Sequence, residues 1–169
     1  MIPGARYLGG GNFEFTVWAS MLAEVAVNLV SERRVLPLRN EPFGYWRLVV
    51  PDVLPGAPYL FRLGDGIERP YPASNYQPEG VHGPSHVVDH GRFEWDDASW
   101  KGMPLDEMVI YELHTGTFTP EGTFAAVTPW LKVLRELGIT AVELMPMAQF
   151  PGNRNCGYEG VYSYAAQAS

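Results

Sequence analysis

One cysteine, Cys156, is all the thiol this 169-residue chain holds. A single thiol excludes an internal disulfide framework and a cysteine-ligated zinc centre. Positive charge is also scarce. Twelve Lys and Arg stand against nineteen Asp and Glu, the formal net charge is −7, and no basic cluster is longer than Arg33-Arg34. Nucleic acid and anionic membrane surfaces are recognised through concentrated positive charge, so both are poor partners for this chain. No apolar run reaches the ~18 residues of a membrane span, and the opening MIPGARYLGGG lacks the basic and apolar regions of a secretory leader. The expectation is a cytoplasmic protein.

What is abundant is apolar and turn-forming. Hydrophobic residues make up 46% and aromatics 13%, enough for a packed core and too much for global disorder. Eighteen glycines and fifteen prolines demand many turns and extended connections. An acidic, aromatic-rich chain suits a neutral polyol or sugar ligand better than a charged one.

From Asn12 to about Leu63 the pattern is β. Phe13, Phe15 and Val17 alternate with Asn12, Glu14 and Thr16, the period of a half-buried strand. Val25, Val27 and Leu29 repeat it, followed by Trp46, Leu48 and Val50, then Tyr59, Phe61 and Leu63. Turn signals divide these runs: Gly9-Gly10-Gly11, Asn40-Glu41-Pro42, Pro55-Gly56 and Gly64-Asp65-Gly66. Asp65-Gly66 reads as the centre of a hairpin turn, since both residues tolerate positive φ. Residues 1–70 are expected to form one all-β sandwich. Residues 71–104, rich in proline, should run extended over a surface, with Trp95 and Trp100 packing the connection.

Residues 105–169 change character. Met108 to His114 reads as a strand, Thr123 as a helix N-cap, and Phe124, Val127, Leu131 and Leu134 recur at helical spacing. Pro129 sits in the first turns or kinks this helix, Gly138 follows its end, and Ile139 to Met145 is a second strand. A strand–helix–strand unit with short links implies a parallel pair. Two such strands cannot bury both of their faces alone.

Several residue sets could carry chemistry. His82, His86 and His90 are four apart, but Gly83-Pro84 breaks any helix that would align them, so no metal site is expected. Gly9-Gly10-Gly11 precedes a strand rather than opening a helix, which makes it a turn and not a phosphate cradle. Glu112 and Glu143 lie mid-strand, away from the C-terminal lip where barrel chemistry is placed, and read as buried, paired groups. His114 stands at that lip and either faces a substrate or braces a loop. The loop Phe150 to Tyr164 is the richest candidate. Asn153, Arg154, Asn155 and Glu159 could address sugar hydroxyls, and Tyr158, between Gly157 and Gly160, could stack on a sugar ring. Tyr162 and Tyr164 read as packing residues. On the sandwich, Trp18, Tyr45 and Trp46 could form a glucan-binding face, although burial is the expected fate of each. No cofactor is called for.

YELHTGTFTPEGTF, AVELMPMAQFPGNRN and GYEGVYSYA resemble the start of the barrel in maltooligosyltrehalose trehalohydrolases of the α-amylase superfamily. PASNYQPEGVHGPSHVVD is similar to that family's connector, and the first 70 residues resemble its N-terminal immunoglobulin-like β-sandwich, related to the carbohydrate-binding modules that precede branching enzymes. The resemblance implies that residues 105–169 begin a (β/α)8 TIM barrel. It implies hydrolysis of the α-1,4 bond next to the trehalose end of maltooligosyltrehalose. The retaining chemistry would use an aspartate nucleophile, a glutamate acid/base and a third aspartate, all from strands beyond Ser169. No catalytic residue is therefore expected in this chain, and an isolated copy should be inactive. Tyr158 matches the family's aromatic platform at the cleavage point. The chain departs from the family pattern at Cys156, Glu159, Ser163 and Ala166, where Trp, Asp, Pro and Pro are usual. The rival readings are a non-catalytic α-glucan-binding module and another superfamily enzyme such as a glycogen branching enzyme.

Overall fold

Alternating apolar residues build most of the first unit of the computed structural model, which describes residues 2–168. In chain order its strands are β1 (Gly4–Gly9), β2 (Asn12–Trp18), β3 (Val25–Leu29), β4 (Arg34–Pro37), β5 (Arg39–Glu41), β6 (Tyr45–Val50), β7 (Pro58–Leu63), β8 (Glu68–Arg69) and β9 (Ser85–His86). One antiparallel sheet has the order β1-β2-β6-β5. The other runs β4-β3-β7-β8, with β9 beside β8 along the same edge of β7.

The two sheets share one core. Phe13, Phe15 and Val17 of β2 meet Val25, Val27 and Leu29 of β3, together with Trp46, Val50, Tyr59 and Phe61, all buried. The Phe15 and Tyr59 rings meet edge to face, centroids 5.1 Å apart, and Tyr59 meets Phe61 the same way at 5.8 Å. Each large side chain withdrawn from water contributes roughly 1.5–3 kcal/mol, so this cluster is the main source of the unit's stability.

Strand β2 is not half-buried as its alternation suggests. Glu14 and Thr16, on the outer face, are also buried. Arg6 of β1 and Arg47 of β6 reach over from both sides and place Nη2 and Nη1 2.9 and 3.1 Å from the two Glu14 carboxylate oxygens. Thr16 pairs across β1 with Gly4, where a Cβ would lie 2.9 Å from the Ala73 carbonyl oxygen. The backbone near Ala73 therefore covers that end of the sheet, and only glycine fits beneath it.

The hairpin from β7 to β8 also differs from expectation. Gly66 N–H donates to the Leu63 carbonyl at 2.7 Å, and Gly66 rather than Asp65 takes positive φ, +84°. Gly64 and Asp65 are the central turn residues, and the left-handed glycine follows them as a bulge. Asp65 Oδ1 accepts from Ile67 N–H at 3.0 Å, so the carboxylate caps the turn.

Much of segment 71–93 is packed rather than laid over a surface. Ser74, Gln77, Ser85 and Val87 are buried, β9 pairs with β7, and Val87 exchanges backbone bonds with Gly56 and Ala57. Trp95 and Trp100 stay largely exposed, at 75% and 71%, in a run that also holds Glu94, Asp96, Asp97 and Lys101.

The chain divides into two compact units. The first comprises Met1–Phe93, Ala148–Asn153 and Gly160–Ser169, and the second Glu94–Met147 and Arg154–Glu159. In the second unit, β10 (Ile110–Leu113) and β11 (Ala141–Leu144) pair in parallel, with Glu112 opposite Glu143. Between them lie α1 (Thr115–Phe118), α2 (Phe124–Val127) and α3 (Trp130–Glu136). The single helix suggested by periodicity is divided at Pro129, which has no N–H to continue the ladder and instead opens α3. Thr123 Oγ1 accepts from Ala126 N–H at 3.2 Å, the N-cap its position suggests. Gly138, at φ +93°, ends α3 in a Schellman motif: its N–H reaches Arg135 O and Ile139 N–H reaches Leu134 O, both at 3.0 Å.

Glu112 and Glu143 are exposed, not buried and paired, because two strands cover neither of their own faces. Val109 and Ile110 are each 52% exposed for the same reason. In the first unit, β12 (Ala148–Gln149) and β13 (Tyr162–Ala166) pair antiparallel. Tyr162 is buried and donates its hydroxyl hydrogen to Val81 O at 2.7 Å. Burial raises its pKa. Tyr164 was expected to pack, yet it is 69% exposed although it stands two residues from buried Tyr162 on the same strand.

Candidate functional site: the Tyr158 loop

His114 follows β10 directly and precedes α1, at the C-terminal end of its strand. Its Nε2 lies 2.8 Å from the backbone carbonyl oxygen of Asn155. A carbonyl can only accept, so Nε2 carries the proton and donates. Nδ1 is buried with no hydrogen-bond partner among the described residues. The ring also fills the space beside Gly116, where a Cβ would stand 3.1 Å from His114 Cε1. The bond ties the loop at Asn155 to the end of β10.

The braced loop is organised by Asn155. Its Oδ1 accepts from Gly157 N–H at 2.6 Å and Glu159 N–H at 3.4 Å, and its Nδ2 donates to Glu159 Oε2 at 2.9 Å. Such Asx-type bonding fixes a turn without regular secondary structure. Asn155 and Glu159 thus bond to each other, with Glu159 still exposed. Gly157 is required twice. Its φ is +100°, and a Cβ there would lie 3.0 Å from the Pro146 carbonyl oxygen. The turn holds up Tyr158, 70% exposed, with its ring free to stack. Asn153, Arg154 and Cys156 are exposed on the same loop.

The sequence pattern marked Tyr158 and His114 but not the join between them. The turn at Asn155 had a local signal, an Asn two residues before a glycine, but its tie to His114 had none.

The other candidates fall elsewhere. His86 approaches Glu79 Oε1 at 3.2 Å, and no group of three or more metal-ligating residues occurs among the described residues. Trp46 is buried and donates from Nε1 to Ala19 O. Trp18 was expected to be buried too, but its ring is 54% exposed and its Nε1 donates to Phe43 O at 3.0 Å. It ends β2, past the sheet-to-sheet core. Tyr45 is partly buried, so the three do not form one flat exposed face.

No protein-family model matches the chain. A malto-oligosyltrehalose trehalohydrolase from Saccharolobus solfataricus is 45% identical over 155 residues, covering 92% of this chain and 27% of that protein. A 1.4 Å crystal structure from Salmonella typhimurium, described as an alpha amylase, is 43% identical with a TM-score of 0.91, covering 98% of this chain and 28% of that one. A pullulanase from Anoxybacillus sp. LM18-11, complexed with maltotetraose, has 23% identity and a TM-score of 0.80 over 98% of this chain and 29% of its own, a likeness of fold. The chain spans about a quarter of the length of the curated relatives it matches. Over the residues it holds, this chain belongs to the malto-oligosyltrehalose trehalohydrolase family of α-amylase-like proteins.

Proposed function

We propose that this chain is the N-terminal portion of a retaining glycoside hydrolase that cleaves the α-1,4 bond next to the trehalose end of maltooligosyltrehalose and releases trehalose. The observation that carries this reading is the 45% identity to a protein of that name over 92% of the chain. The two-sheet unit is then an immunoglobulin-like sandwich, and β10–α1–α2–α3–β11 opens a (β/α)8 barrel. The domain scheme we propose is 1–70 for the sandwich, 71–104 for the connector and 105–169 for the barrel start, with β9 a connector strand docked on the sandwich. The protein acts in the cytoplasm.

In this reading Tyr158 is the platform for the sugar ring at the cleavage point. Its exposed face stacks on the ring's C–H face, and the Asn155 turn holds it in place before substrate arrives. His114 acts at one remove, by fixing the Asn155 carbonyl. The nucleophilic carboxylate and the acid/base carboxyl, which must sit about 5–5.5 Å apart for retention, come from later strands. The substrate is an α-glucan, the ligand class of the maltotetraose-bound pullulanase of similar fold.

The test is chromatography of the products from maltotriosyltrehalose. A longer protein containing this chain should release trehalose, and the 169-residue chain alone should not. New α-1,6 linkages without trehalose would make the protein a branching enzyme instead.

A further inference from the structure

The first unit holds a cavity of about 710 Å3 against the edge strand β1. Arg6 and Tyr7 of β1, Asn75, Asp89, His90 and Tyr164 of β13 supply its functional side chains. Only Tyr164 comes from segment 150–164, and it lies on β13, past the 155–159 turn that carries Tyr158.

One wall is preorganised. The Tyr7 hydroxyl accepts from Gly11 N–H at 3.3 Å and its ring lies 4.9 Å from that of Phe13, so its position is set before any ligand arrives. Tyr164 offers a second ring, 69% exposed. The polar groups are spread around these rings. Asp89 uses Oδ1 to accept from Gly91 N–H at 2.9 Å, which leaves Oδ2 available. The Asn75 amide and the His90 ring make no hydrogen bond among the described residues, so both can address a ligand.

This chemistry excludes several ligand classes. An anion is disfavoured because Asp89 lines the cavity and the Arg6 charge is already matched by Glu14 at 2.9 Å. A wholly apolar ligand would strip water from the carboxylate, amide and imidazole without replacing its hydrogen bonds. A neutral polyhydroxylated ligand satisfies both requirements, laying C–H faces on tyrosine rings and hydroxyls against Asn75, Asp89 and His90. The volume lies within the roughly 300–1,000 Å3 of small-molecule sites and suits a short oligosaccharide.

We propose that this cavity is an accessory binding site for a segment of linear α-1,4-glucan. Only the α-glucan linkage rests on the functional reading above; the polyhydroxylated class rests on the cavity itself. The test is titration of the 169-residue chain with maltoheptaose, followed by amide chemical shifts, with circular dichroism confirming the fold of every variant. Asn75→Ala and Tyr164→Ala should each weaken binding at least fivefold, and Lys132→Ala, on the exposed surface of α3, should leave it unchanged. Tyr7 is left intact because its ring supports Phe13. Absence of binding by the folded chain would overturn the proposal, as would loss confined to Tyr158→Ala or equal binding of cellohexaose. Failure of trehalose release by the longer protein is read in a separate assay and would sink the functional reading without touching this one.

Discussion

His114 Nε2 donates to the Asn155 carbonyl oxygen at 2.8 Å, across 41 residues of sequence. The bond joins the end of one parallel strand to the loop that follows its neighbour. Through it, the end of β10 is tied to the turn that carries Tyr158.

Removing that donor should loosen the loop and little else. In His114→Ala the Asn155 carbonyl loses its partner, at about 1 kcal/mol for one hydrogen bond. Amide exchange at Gly157 and Glu159, whose N–H groups are held by Asn155 Oδ1, should accelerate about fivefold while exchange in β2 and β7 stays constant. Unchanged exchange at both amides would remove His114 from its bracing role.

Gly157→Ala tests the turn itself. The substitution forces a side chain into φ +100° and against the Pro146 carbonyl. A strained left-handed residue costs on the order of 1–3 kcal/mol, which exceeds the gain from restricting the unfolded chain. The expected outcome is altered chemical shifts at Pro146 and across 154–159, with a lower melting temperature. A variant as stable as the parent, with the loop unchanged, would show that the tight approach is not real.

Phe15→Ala should be the most damaging core change of the set. Phe15 is fully buried between the sheets and meets Tyr59 edge to face. Truncation of a buried phenylalanine costs about 3–5 kcal/mol, a large share of the stability of any small domain. Thermal unfolding followed at 222 nm should show a much lower midpoint or no folded baseline. Phe15→Leu should recover most of the loss.

Alkaline pH should destabilise the sandwich. Burial pushes the Tyr59 hydroxyl above the usual phenol range, an effect the hydroxyls of Ser85 and Ser74 and the backbone at Ala5 partly offset. Tyr162 is raised in the same direction by burial. Below the ordinary phenol value of 10.0 both folded and unfolded chains keep the Tyr59 proton, and its contribution is complete. Above it the unfolded chain ionises while the folded chain does not, so stability falls as pH rises. Melting temperatures should decline above pH ~10, and Tyr59→Phe should flatten that decline whatever its own starting stability. A slope identical in both proteins would sink this account.

Local chemistry was legible wherever the cause lies within a few residues. Thr123 and Gly138 bound their helices as the sequence indicates, because capping involves only the adjoining turn. The inward residues of β2, β3, β6 and β7 were legible for the same reason: period-two alternation is a property of the strand. Glu14 defeated that reasoning, since Arg6 and Arg47 arrive from other strands and enclose it. Pro129 was recognised as a breaker, but whether it bends a helix or ends one depends on what the following turn packs against.

The candidate site divides along the same line. Tyr158 is marked as a candidate by its own neighbourhood of glycines and by the family resemblance, both of them legible in the sequence. The sequence also determined the β-then-α/β order of the chain, its turn-rich character and its acidic charge, all of which are sums over residues or short periods. Only the tertiary structure decided that His114 reaches Asn155, and that Tyr7, Asn75, Asp89, His90 and Tyr164 surround one cavity. Those outcomes rest on distances between residues far apart in the chain. A hydrogen bond or a cavity wall depends on such distances to within a fraction of an ångström, and no local pattern encodes them.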